Sequence, residues 1–125
     1  MPSLNAAQLA EFSEQGYLLL EDLIPDETFG PVIADIEEGI ERGVLEASEE
    51  GGIQKTFAGE PFDRRFALIE EEFGEAANVG RHVLLKSLKT AGMFGLMTHA
   101  VLLDLVESWI GPEILSHPQF NCQAK

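Results

Sequence analysis

The segment Thr98–Lys125, THAVLLDLVESWIGPEILSHPQFNCQAK, decides the predicted fold of this chain. Thr98 is a preferred type of helix N-cap residue, and Gly111 followed by Pro112 is a typical helix end. Residues 113–123 then alternate between two faces, which predicts a strand. Its polar face carries His117, Gln119, Asn121 and Gln123. We therefore expect a helix, a sharp stop, and then a strand with residues suited to lining a site.

Upstream of this segment the sequence predicts three further helices. Asn5 and Gln8 form a capping box that begins the first helix, and Gly16 ends it. Phe62–Phe73 has helical periodicity after Pro61, a favoured first residue of helices. The second helix has an apolar stripe at helical spacing, made of Phe29, Val32, Ile33, Ile36, Ile40 and Val44.

Glycines complicate the second helix and the region before Thr98. Gly39 and Gly43 each weaken the second helix by about 1 kcal/mol relative to alanine, or they permit close packing against another element. Residues 82–88 are predicted to be helical. Turns are predicted at 91–92 and at Gly95.

A second strand is predicted at Tyr17–Leu20, a short apolar run of the kind found in buried strands. It is far in sequence from the strand at 113–123. Two strands do not make an independently stable sheet. The predicted strands therefore need more chain, or a partner, to complete a sheet.

Composition limits the classes of protein to which the chain can belong. Its length of 125 residues predicts a single domain segment, 1–125. Its composition, with 45% hydrophobic and 24% charged residues, is that of a soluble globular protein. The net charge of −14, from 8 basic and 22 acidic residues, argues against nucleic acid and anionic membranes as partners. No signal peptide is evident, and a single cysteine fits a reducing compartment. We therefore expect a cytoplasmic protein.

No motif in the chain supplies a complete catalytic or metal site. His117 is followed two residues later by Gln119, whose amide is a poor ligand for a hard cation, so this pair does not begin an iron site. One cysteine and three scattered histidines do not give a zinc spacing. Cys122 has no activating base in the sequence and is expected to be an inert thiol. We assign no catalytic residue and no metal ligand.

Several short motifs follow one another along the chain in a defined order. They are Gln8–Phe12, Gln15–Leu18, Leu20–Pro25, Pro61–Arg65, Leu102–Glu107, Gly111–Ile114, His117–Asn121 and Lys125. In this order and spacing they resemble the N-terminal part of the phytanoyl-CoA dioxygenase-like proteins, a branch of the iron(II)- and 2-oxoglutarate-dependent oxygenases. The resemblance spans nearly the whole chain.

The resemblance implies an α+β fold, mostly helical in this segment. The helices would support the first strands of a double-stranded β-helix, a jelly-roll barrel that this segment leaves incomplete. The family holds Fe(II) with a His-x-Asp pair and a distal histidine, all expected after Lys125. This segment alone is therefore expected to bind neither Fe(II) nor 2-oxoglutarate.

The resemblance also suggests cosubstrate contacts. In the family the strand equivalent to Glu113–Lys125 lines the cavity, so Asn121 and Gln119 are candidate cofactor-binding residues. An ordinary hydrogen-bonded pair inside the barrel is the alternative for both. A basic residue from the preceding helical region, Lys86 or His82, is a further candidate.

The sequence is compatible with two functions. The first is a truncated or N-terminal fragment of such an oxygenase, inactive by itself, whose full protein hydroxylates an unactivated C–H bond of a small-molecule substrate. The second is a non-catalytic helical interaction module. It would pair its exposed strand with a partner or with a second copy of itself.

Overall fold

The computed structural model describes residues 2–74 and 89–117, and every regular element in these ranges is helical. A short 3₁₀ helix, Asp26–Phe29, leads directly into the second α-helix. The α-helices are α1 (Ala6–Gln15), α2 (Gly30–Glu49), α3 (Phe62–Phe73), α4 (Ala91–Met97) and α5 (Ala100–Ile110).

The predicted α+β fold with the first strands of a jelly-roll barrel is wrong for the described ranges, which contain no strand. Tyr17–Leu20 and the described part of the second predicted strand, residues 113–117, have no regular secondary structure. A strand needs a neighbour to pair its backbone groups, and neither segment has one within 2–74 and 89–117. Residues 118–123 of that predicted strand lie outside the described residues.

The capping box predicted for α1 is confirmed. The backbone N–H of Asn5 donates to Oε1 of Gln8 at 2.9 Å, and the Gln8 N–H donates to Oδ1 of Asn5 at 3.0 Å. Gly16 ends the helix at φ 80°, and its N–H donates to the Phe12 carbonyl at 2.8 Å. The left-handed backbone at this position explains the glycine.

The core is built around the C-terminal half of α2. Helix α2 runs through Gly39 and Gly43, and both glycines are buried. Arg42 lies on the outer face of the helix. The buried cluster combines residues of α2, the following loop and α3: Ile40, Val44, Ala47, Ile53 and Ile69. Ile40 and Val44 of the predicted apolar stripe therefore lie in this core, and Ile36 packs against it. Helix α3 begins and ends where predicted.

The turns predicted around Gly92 and Gly95 are wrong, because Ala91–Met97 forms helix α4. Thr90 caps this helix, and its Oγ1 accepts a hydrogen bond from the Met93 N–H at 3.2 Å. The Gly92 N–H donates to Oδ2 of Asp35 on α2 at 2.9 Å. The glycine is explained by this close approach of α2 and α4 rather than by a turn.

Thr98 does not cap α5, contrary to prediction. It ends α4 instead, and its hydroxyl donates to the Phe94 carbonyl at 2.7 Å. His99 takes the N-cap position of α5 without a side-chain cap. Gly111 ends α5 as predicted, with φ 92° and its N–H donating to the Glu107 carbonyl at 2.8 Å.

The first and last described helices contact each other. The rings of Phe12 on α1 and Trp109 on α5 meet edge to face, with centroids 4.4 Å apart. The Leu4 N–H, just before α1, donates to Oγ of Ser108 at 3.1 Å. These contacts hold α1 against α5.

No single helix within 2–74 and 89–117 is long and apolar enough to cross a membrane. Helices α4 and α5 reach that length and apolarity only when they are taken together, and they meet at a bend of 42°.

Candidate functional site

A concave site lies between α2 and the segment that leads into α3. It is a cleft of about 360 Å³. Ile40, Ala58 and Phe62 give it apolar walls. The remaining lining residues are charged: Glu37, Glu38, Glu41, Glu60 and Arg65.

Arg65 organises the charged side of this cleft. Its side chain is only 12% exposed, and its guanidinium donates to Oε2 of Glu41 at 2.7 Å. The Arg65 Nε also donates to the Thr56 carbonyl at 3.2 Å, which ties the loop before α3 to the same group. Arg65 therefore has a structural role that accounts for its low exposure.

The carboxylates at the rim give the cleft a net negative charge. Glu38 pairs with Arg42 at 2.7 Å, and both side chains are well exposed. Glu37 and Glu60 add two further carboxylates to the lining. Such a rim attracts cations from solution, and the attraction weakens as salt increases.

The described residues do not fit the iron centre that the family resemblance implies. No group of three or more His, Cys, Asp or Glu side chains within 2–74 and 89–117 is arranged to hold a metal ion. We therefore derive no reaction step through iron or 2-oxoglutarate in this part of the chain.

The residues predicted from sequence to contact a cosubstrate lie outside the described residues. This applies to Lys86, Gln119 and Asn121, and also to His82 and Cys122. The structure therefore neither brings them together nor separates them.

Two histidines do lie in the described ranges. His117 is exposed. His99 is half-buried at the junction of α4 and α5, and its Nδ1 is enclosed without a hydrogen-bond partner. Neither belongs to the cleft between α2 and α3.

Sequence reasoning missed the cleft. The glutamates of α2 are exposed, and their pattern in the sequence is that of an ordinary solvated helix face. The missing information is the pairing of Arg65 with Glu41, which joins residues 24 positions apart. Arg65 follows Pro61 in one of the quoted motifs, but that motif indicates no partner on α2.

A second surface feature lies in the segment after α1. Tyr17 and Leu19 are 64% and 77% exposed, whereas Leu18 and Leu20 are half-buried. Exposure therefore alternates residue by residue, as the side chains of a strand do. All four side chains carry a large apolar group, so one apolar face of this segment is open to solvent.

Further apolar side chains are exposed at the end of α5 and just beyond it. Trp109 and Ile110 are each about half exposed, and Leu115 is 95% exposed. Single exposed apolar residues are common, but several within seven residues mark a surface that other protein atoms usually cover.

Comparison with known proteins finds no relative of this chain. No family model matches it, no curated protein matches it, and no solved structure matches it. The resemblance to the phytanoyl-CoA dioxygenase-like proteins therefore rests on the quoted sequence motifs.

Proposed function

We propose that this chain is the helical N-terminal region of a phytanoyl-CoA dioxygenase-like oxygenase of the cytoplasm. The full protein hydroxylates an unactivated C–H bond of a small-molecule substrate. The 125 residues support that activity as a scaffold and do not catalyse it. The order of the motifs along the sequence is the basis for naming this family.

The observation that carries the proposal is the alternating exposure of Tyr17–Leu20. Leu18 and Leu20 are half-buried, while Tyr17 and Leu19 are largely exposed to solvent. Large apolar side chains exposed in this way mark a surface that other protein atoms usually cover. A helical scaffold packed against the rest of an oxygenase would have such a cover.

The placement of two motifs also supports the proposal. The motif Gln8–Phe12 lies on α1, and the motif Leu102–Glu107 lies on α5. The contact of Phe12 with Trp109 brings these two helices together, although their motifs are far apart in sequence. The motifs therefore belong to one packed unit.

The chemistry of the full protein would depend on Fe(II) and 2-oxoglutarate, as in the family that the sequence resembles. The proposal assigns no iron ligand to this chain and places the His-x-Asp pair after Lys125. Gln119, Asn121 and Lys86 stay candidate cosubstrate contacts. This chain contributes packing and orientation to the site.

An anaerobic titration tests the proposal without knowledge of the substrate. The protein purified from its source cells is mixed with Fe(II) and then with 2-oxoglutarate, and the visible charge-transfer band of the chelated cosubstrate is recorded. We expect the band to appear and saturate. The matched control is the 125-residue chain, for which we expect no band. Absence of a band from the purified native protein would overturn the proposal.

A second candidate function is favoured by the self-contained core of α2 and α3. Ile40, Val44 and Ile69 are almost fully buried without any contribution from another chain. A helical module with such a core could act as a non-catalytic interaction partner through its exposed apolar residues. In that case, the native protein would give no cosubstrate band.

A further inference from the structure

We draw no further inference here: the strongest candidate, the cleft between α2 and the segment that leads into α3, is rimmed by a cluster of glutamate carboxylates, and nothing else in the described part of the chain indicates a ligand for it.

Discussion

Gly92 lies where the first turn of α4 meets α2, and its lack of a side chain permits the contact. A Cβ atom at this position would lie 2.7 Å from the Pro31 carbonyl oxygen and would also collide with the Asp35 carboxylate. The Asp35 carboxylate accepts the Gly92 N–H, so it cannot move away without losing that hydrogen bond. The close packing of the two helices therefore depends on this one residue.

We expect Gly92→Ala to lower the free energy of unfolding by about 1–2 kcal/mol, because the cost of overpacking exceeds the gain in helix propensity. Urea unfolding followed by circular dichroism measures this change. Gly95→Ala is the matched control, because Gly95 is on the same helix and its added Cβ would have no neighbour within 4 Å. We expect the control to be neutral or slightly stabilising. Equal changes in the free energy of unfolding for the two substitutions would contradict the close contact between α2 and α4.

Arg65 is the second residue on which the described packing depends. It is mostly buried and donates both to Glu41 and to the Thr56 carbonyl, so its loss leaves two acceptors without their donor. We expect Arg65→Met to lower the free energy of unfolding by about 1–2 kcal/mol. The effect is limited because Glu41 is half exposed, so water can solvate its carboxylate when the arginine is gone.

Arg42→Met is the control for that substitution. Arg42 makes an ion pair with Glu38 at the same 2.7 Å distance, but both side chains are well exposed. Exposed pairs of this spacing on a helix contribute about 0.3–0.5 kcal/mol. If Arg42→Met lowered the free energy of unfolding as much as Arg65→Met in the same urea titration, burial would not distinguish the two arginines.

At the scale of elements, the segment Tyr17–Leu20 joins α1 to the 3₁₀ helix and leaves Tyr17 and Leu19 exposed. We expect the chain to raise the fluorescence of a dye that binds apolar surface. Leu19→Ser should reduce this fluorescence while changing the free energy of unfolding by less than about 0.5 kcal/mol. The reason is that the Leu19 side chain contributes apolar surface but little packing.

Leu20→Ser is the comparison variant, because Leu20 is half-buried one position along the same segment. We expect it to lower the free energy of unfolding measurably, since it removes packed apolar surface. If Leu19→Ser destabilised the chain as much as Leu20→Ser, the alternating exposure of this segment would be wrong.

Several helix boundaries could be predicted from the sequence, because a capping residue or a helix-ending glycine affects only the backbone within a few residues of itself. The capping box of Asn5 and Gln8, the helix after Pro61 and the stop at Gly111 all depend on neighbours in sequence. These predictions hold in the structure.

The predictions that failed depend on partners far along the chain. Gly92 indicates a turn in the sequence, because the group that explains it, Asp35, is 57 positions away. The strand at Tyr17–Leu20 fails because a strand requires a ladder, which local alternation alone does not supply. The cleft beside Arg65 was missed for the same reason, since its shape depends on how α2 and α3 pack.

For the whole molecule, the net charge and the exposed apolar side chains limit what can cover its surface. Part of the exposed surface is apolar, at Tyr17, Leu19, Trp109 and Leu115. The net charge of −14 opposes association between two copies of the chain. The charge therefore disfavours a second copy of the chain as the cover for this surface.

We propose that these helices are the scaffold of a larger oxygenase. The most direct test is the intact mass of the native protein from its source cells, combined with peptide mapping across Lys125. We expect a mass well above 13.7 kDa and a His-x-Asp pair soon after Lys125. A native mass that matches these 125 residues would contradict the account and leave the non-catalytic helical module.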